Sequence, residues 1–488
     1  MNSTLKRAAV ACLAMFALLM INVNYLQAVK ADNYREDSRN NRNYFERYAV
    51  QRGRITASGK TILAQSTETK GPFKFLREYP EGELYAHVTG FFSPESESAV
   101  ERAENSLLDG SSADLLLRRS IDLFTGEPTK GANVDLTLNP KAQKAAYDAL
   151  RQSGKRGAAV AIEPKTGKIL ALVSLPTYDP AKISVPEKPQ AFAAYNKLEK
   201  NPDKPLINRA IGDFYAPGST FKVVTTAAWL EDDSSRDGQT VVDAPTRLSL
   251  PNTTTTLPNY GGAACGGGQV PMVYALERSC NTPFGKIGLE LGYAKIAEQA
   301  RKFGVGEPLS IPMGVEASTI GKEETDDPAA IAMTSIGQRS AVMTPLQMAM
   351  VAAGIANNGS VMKPYLVNKI TDAKGDAVDE GEPEEFSEAM SPENAAKLKS
   401  MMVSVVANGT AKTAQVPGVE VGGKTGTAET REGKAPHAWF ISFAPAQDPQ
   451  VAVAVFVESG AARVGEEATG GGVAAPIGKA ITEAVLNK

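Results

Sequence analysis

Pro217-Gly218-Ser219-Thr220-Phe221-Lys222-Val223-Val224-Thr225-Thr226-Ala227-Ala228-Trp229-Leu230 reads as a turn that opens a helix. Residues three apart on a helix share a face, so the Lys222 ammonium can reach the Ser219 hydroxyl. A serine hydroxyl is a poor nucleophile until a neighbouring base takes its proton. Lysine can be that base when desolvation lowers its pKa. The field at a helix N-terminus also favours developing negative charge. Taken alone, the same residues read more readily as a helix cap and a surface charge.

Their wider company reverses that reading. Ser-x-x-Lys occurs at Ser3/Lys6, Ser219/Lys222 and Ser360/Lys363. Ser3 precedes an apolar span, and Ser360 follows the turn Asn357-Asn358-Gly359 into an extended segment ending at Pro364. Only Ser219 sits where a helix sets serine beside lysine. Ser-x-Asn occurs as Ser38-Arg39-Asn40 in a polar stretch and as Ser279-Cys280-Asn281 beside an apolar, helical one. Lys-Thr-Gly occurs as Lys165-Thr166-Gly167 in a turn and as Lys424-Thr425-Gly426-Thr427 in a strand. Each has an ordinary explanation singly; the ordered set Ser219, Ser279 and Lys424, each on a suitable element, outweighs it.

Around these motifs the chain reads as an α/β, or α+β, protein. Asn139 caps a helix with Pro140 at its first position, and Ala158–Ile162 and Lys168–Val173 form a hairpin around Glu163-Pro164-Lys165-Thr166-Gly167. Helices are expected over Phe221–Leu230 and Ser335–Ala356. Strands are expected at Lys424–Thr427, His437–Phe443 and Val451–Val457, with a closing helix at Ala474–Leu486. If hairpin and late strands share a sheet, the middle of the chain is an inserted helical lobe. The acidic stretch Asp376–Glu388 reads as a solvated loop, and Ala31–Lys130 as a small irregular α+β module.

The 488 residues favour two domains. The 52 basic and 55 acidic side chains, net −3, lack the basic footprint of nucleic-acid binding. His87, His437, Cys12, Cys265 and Cys280 lie too far apart for the usual zinc spacings, so no metal and no cofactor is expected. After Lys6 and Arg7 an apolar run of roughly twenty residues is about one bilayer span and lacks a good cleavage site. The expected layout is a cytoplasmic tail at 1–7, a retained anchor at 8–28, a small N-terminal module at 29–132 and a catalytic domain at 133–488, outside the membrane. Cys265 and Cys280 are 15 residues apart; a disulfide and two unbonded thiols both stay open.

The ordered motifs resemble those of the penicillin-binding protein and serine β-lactamase superfamily. Arg52-Gly53-Arg54-Ile55, Tyr79-Pro80-Glu81-Gly82 with Ala86-His87-Val88-Thr89-Gly90, Asn139-Pro140, Glu163–Gly167 and Gly409-Thr410-Ala411 are similar to class B penicillin-binding proteins over nearly the whole chain. The compact N-terminal module most resembles the actinobacterial penicillin-binding protein A group. The resemblance implies a central sheet flanked by helices with an all-helical lobe, and a DD-transpeptidase acting on peptidoglycan stem peptides ending in D-Ala-D-Ala. It also implies covalent inhibition by β-lactams. No room is left for a glycosyltransferase domain, so polymerisation would fall to a membrane glycosyltransferase of the shape, elongation, division and sporulation type.

In this reading Ser219 is the nucleophile and Lys222 its base. Ser279 passes a proton to the leaving D-Ala nitrogen, and Asn281 holds Lys222 and the substrate amide. Lys424 supplies positive charge, Thr425 and Thr427 take the terminal carboxylate, and Gly426 keeps the strand open to substrate. The N–H groups of Ser219 and Thr427 form the oxyanion hole by analogy. His437 and Trp439 read more naturally as core than as cleft, Gly470-Gly471-Gly472 as a mobile segment or ordinary surface loop, and Arg52-Gly53-Arg54 as structural. DD-carboxypeptidase activity, a non-catalytic β-lactam sensor or scaffold, and a β-lactamase are the alternatives. The last would need a water-activating glutamate, for which no segment matches.

Overall fold

The structure is a computed structural model describing residues 3–30, 42–115, 130–321, 327–429, 435–460 and 470–487; Ser38-Arg39-Asn40 lies outside the described residues. Five antiparallel strands form the main sheet, in the order Gly422–Ala428, His437–Ala444, Val451–Val457, Gly157–Ile162, Ile169–Leu175. Val451–Val457 and Gly157–Ile162 are buried at every position. Such unbroken apolar runs suit strands covered on both faces. Pro345–Ala356 packs on these two strands, while Gly470–Leu486 packs on the sheet together with Pro140–Gln152. Asn139 Oδ1 caps Pro140–Gln152 by accepting Lys141 N at 2.9 Å and Ala142 N at 3.2 Å, a contribution of ~1 kcal/mol.

Three elements differ from expectation. Ser335–Ala356 is not one helix: Pro328–Thr334 ends before it, and Pro345–Ala356 starts anew with Thr344 Oγ1 accepting Gln347 N. Proline at 345 cannot continue a preceding helix, and Gly337 takes φ +74° in the break. Asp376–Glu388 contains the strands Ala377–Glu380 and Glu385–Glu388. Their side chains are largely solvated, which is why the stretch reads as loop. Gly470-Gly471-Gly472 is the first turn of the closing helix, with Gly470 and Gly471 buried.

A second sheet runs Ala377–Glu380, Val367–Thr371, Asn133–Leu136, Ile55–Ala57, Thr61–Glu68, Phe75–Glu78. It therefore draws strands from both sides of position 132. Arg52 and Arg77 clamp the buried Glu101 at 2.7 and 2.6 Å, and a methyl at Gly53 would lie 1.7 Å from Ala132 O. Arg52-Gly53 thus serves packing inside this module. Helix Ser3–Ala28 is 26 residues long with no buried residue, long and apolar enough to cross a membrane.

Candidate active site

Ser219 lies in a single 3₁₀ turn, Gly218–Phe221, that runs straight into the helix Lys222–Asp232. In a 3₁₀ turn residues i and i+3 eclipse, so serine and lysine still share a face. Gly218 adopts φ +52°, and a methyl there would meet Thr427 O at 2.4 Å. Gly218 N donates to Gly337 O at 2.8 Å, so the break in the expected 335–356 helix holds this turn. Trp439, fully buried, donates from Nε1 to Ala216 O at 2.9 Å and belongs to the core. His437 accepts Ser459 N at 3.0 Å.

Lys222 and Lys424 are both fully buried. Lys222 Nζ donates to Ser279 O at 2.7 Å and Asn281 Oδ1 at 2.8 Å, with Ser279 Oγ at 3.5 Å. Its hydrogen bonds go to Ser279 and Asn281, not to Ser219. Lys424 Nζ donates to the same Ser279 Oγ at 2.7 Å and to Thr425 O at 2.8 Å. The Ser279 hydroxyl thus stands between two amines. Ser279 itself takes φ +56°, a left-handed conformation costing roughly 1–2 kcal/mol for a side-chain-bearing residue. Burial, and then the Lys424 charge, hold the Lys222 ammonium well below the usual lysine range. Burial lowers Lys424 to about 7.

Lys424, Thr425, Gly426 and Thr427 lie on Gly422–Ala428, an edge of the main sheet. A methyl at Gly426 would meet Pro217 O and Thr220 Cγ2, both at 2.9 Å, so glycine here lets the strand close on the Ser219 turn. A cleft of about 670 Å³ is lined by Ser219, Ser279, Asn281, Thr425, Gly426 and Thr427, with Tyr260 at its wall. The structure thus gathers all eight motif residues: six line the cleft and two lysines lie buried behind it. Cys265 is bonded to Cys280, which turns the middle residue of Ser279-Cys280-Asn281 away from the cleft. Closing a loop of this length constrains the unfolded chain by about 3 kcal/mol.

Two residues were not assigned to the site from sequence. Thr410 Oγ1 lies 2.6 Å from Thr425 Oγ1; its one signal was the family-like Gly409-Thr410-Ala411. Asn259 accepts from Asn281 N at 2.8 Å, with no local pattern to announce it.

The penicillin-binding protein transpeptidase domain family matches residues 157–483, and the penicillin-binding protein A dimerisation domain family matches residues 52–134. Peptidoglycan D,D-transpeptidase PbpA of Mycolicibacterium smegmatis is 45% identical over 497 residues, covering 100% of both chains. Its Mycobacterium tuberculosis namesake is 46% identical, covering 100% of this chain and 99% of that one. Penicillin-binding protein A of M. tuberculosis as a ceftriaxone acyl-enzyme superposes with a TM-score of 0.86 at 45% identity, covering 91% of this chain and 100% of that one. Its penicillin G acyl-enzyme gives 0.84 at 46% identity, covering 90% and 100%. With its motif residues gathered in one cleft and relatives similar from end to end, the chain belongs to the penicillin-binding protein transpeptidase family.

Proposed function

We propose that this chain is a peptidoglycan DD-transpeptidase that works through an acyl-enzyme on Ser219. The observation that carries the reading is the buried Lys222, whose donors go to Ser279 O and Asn281 Oδ1. Once deprotonated, as burial favours, this amine has both N–H groups spent and keeps one lone pair, the base that Ser219 needs. Ser219 Oγ attacks the penultimate D-Ala carbonyl and its proton passes to Lys222. The oxyanion is met by the N–H groups of Ser219 and Thr427, each such donor contributing about 3–4 kcal/mol in the transition state. Collapse breaks the C–N bond, and the departing D-Ala nitrogen takes a proton through Ser279. An acceptor amine then attacks the ester, gives up a proton, forms the cross-link and frees Ser219. Thr425 and Thr427 hold the terminal carboxylate, Lys424 supplies its counter-charge, and Asn281 holds the substrate amide.

The proposed layout keeps 1–7 as a cytoplasmic tail, 8–28 as a single anchor, 29–132 as the N-terminal module and 133–488 as the transpeptidase domain, outside the plasma membrane. Glycan polymerisation falls to a separate membrane glycosyltransferase. Intact-mass analysis of the penicillin-treated protein over time tests the chemistry. One stable adduct is expected, absent in Ser219→Ala; an adduct that forms and vanishes rapidly would mean hydrolysis instead. A stem-peptide mimic with an amine acceptor should yield a cross-linked product, whereas release of free acid alone would make the enzyme a carboxypeptidase.

A further inference from the structure

The helix Thr282–Lys302 starts at Asn281, yet the Asn281 side chain does not cap it. Asparagine is among the best N-caps, and an uncapped start leaves backbone donors without partners. Asn281 cannot serve, because its Oδ1 takes Lys222 Nζ at 2.8 Å and its Nδ2 donates to Pro258 O at 3.0 Å. The cap comes from elsewhere in the chain. Asn259 Oδ1 accepts Asn281 N at 2.8 Å, Thr282 N at 3.1 Å and Thr282 Oγ1 at 3.2 Å. Its Nδ2 donates to Ala263 O at 3.2 Å, and the residue is only 5% exposed.

We infer that Asn259 is a positioning residue for acyl transfer: by holding the N–H groups of Asn281 and Thr282, it fixes the backbone that aims the Asn281 side-chain oxygen at Lys222. The inference rests on the acyltransferase reading. Without the Asn259 oxygen, two N–H groups and a buried hydroxyl lose their acceptor. The first turn is then free to shift toward other acceptors, and it carries the Asn281 backbone, with its side-chain oxygen, away from Lys222. Lys222 then loses one of the two acceptors that fix its lone pair. Asn259 touches no reacting atom; it acts through Asn281. The adjacent Pro258 carbonyl fixes the other half of the same amide, so one short segment sets both its orientation and its availability.

The test is the rate of penicillin acylation of the full chain, followed by intact mass in a mutant cycle. Asn259→Ala should slow acylation at least about tenfold, as small displacements of a reacting group do, while the fraction finally acylated stays at the parent's level. A merely structural role would lower that fraction and leave the rate of the remainder unchanged. Asn259→Asp keeps the acceptor oxygen but sets its second oxygen against Ala263 O, so it should recover part of the rate lost in alanine. Asn259→Ala combined with Asn281→Ala should be no slower than Asn281→Ala alone. A parental rate in Asn259→Ala, an aspartate no better than alanine, or losses that multiply in the double variant would each overturn the inference. If Asn259→Ala does not accumulate as folded protein, Asn259→Ser, whose acceptor is drawn back from the helix, takes its place under the same criteria. No adduct on the parent, or an adduct on Ser219→Ala, would instead strike at the acyltransferase reading and carry this inference down with it.

Discussion

The Ser279 hydroxyl takes Lys424 Nζ at 2.7 Å and has Lys222 Nζ at 3.5 Å, which brings the Lys424 charge within reach of Lys222. Lys424 lowers the Lys222 pKa through its charge, on top of burial. Lys424→Met removes that charge and should raise the Lys222 pKa, moving the acid limb of the acylation pH profile to higher pH. The maximal rate should fall by roughly 10²-fold or more, as for loss of a preorganised electrostatic group. An acid limb that stays in place or moves down would refute the coupling. The Thr410–Thr425 pair makes a second prediction. A hydroxyl has a single donor hydrogen; when Thr410 donates to Thr425, the Thr425 hydrogen is left for a carboxylate. Thr410→Val should therefore cost about 1 kcal/mol, near fivefold, in penicillin acylation. Thr410→Ser should restore it, and a penicillin methyl ester should not discriminate among the three proteins. Chemistry at this scale was legible where it sat in short motifs: Ser219, Lys222, Ser279, Asn281 and Lys424 declared themselves by order and spacing. Asn259 reaches Asn281 across 22 residues, and a side-chain hydrogen bond at that separation leaves no period in the sequence.

The Ser219 turn is wedged between an edge strand and the link between helices Pro328–Thr334 and Pro345–Ala356, and both contacts depend on glycine. Gly218 has φ +52°, and its missing side chain gives way to Thr427 O; Gly337 has φ +74°, and its missing side chain gives way to Gly218 O. Gly218→Ala should destabilise the protein by about 1–3 kcal/mol, from the left-handed backbone and the contact with an immovable carbonyl. It should also slow acylation by about 10²-fold, since the turn must withdraw from Thr427. A urea or thermal melt read beside the mass kinetics separates the two effects; a folded variant acylating at the parental rate would mean the close approach is not needed. The hairpin at 157–175 and the late strands could be seen in sequence because continuous apolar runs bounded by turns have few other readings. The break within 335–356 was obscured by apolar residues on both sides of Gly337 and Pro345. Three glycines at 470–472 suggest a loop because each costs a helix about 1 kcal/mol relative to alanine. Packing overrides that preference: a methyl at Gly470 would lie 2.2 Å from Trp439 O.

One buried apolar cluster runs from Ile55 and Val134 in the small sheet through Leu138 and Ala142 to Val160 and Val455 in the main one. The strands Val367–Thr371 and Ala377–Glu380 return from the far side of the catalytic motifs to complete the small sheet. Such strand sharing across more than 200 residues is beyond what a linear reading of composition reveals, and with the shared apolar cluster it predicts that the two sheets unfold as one unit. The Arg52–Glu101–Arg77 cluster tests this. Tyr79 Oη also donates to Glu101 Oε1, at 3.2 Å. Burial alone would raise the Glu101 pKa, but Arg77 and Arg52 more than offset it and hold the carboxyl below its ordinary range. A carboxylate with a depressed folded pKa contributes stability that is present above its unfolded pKa and lost as pH falls through the folded one. Glu101→Gln should therefore destabilise the protein at neutral pH by about 3–5 kcal/mol, the cost of leaving buried charges unpaired. The gap to the parent should narrow as the pH drops below the carboxylate range. The loss should appear as one thermal transition, with penicillin-reactive protein disappearing along the same curve although Glu101 is remote from Ser219 in sequence and sits in the short helix Ala99–Ala103, paired with Arg77 of the other sheet. Two separate transitions, with reactivity surviving the first, would mean that the shared strands do not couple the sheets.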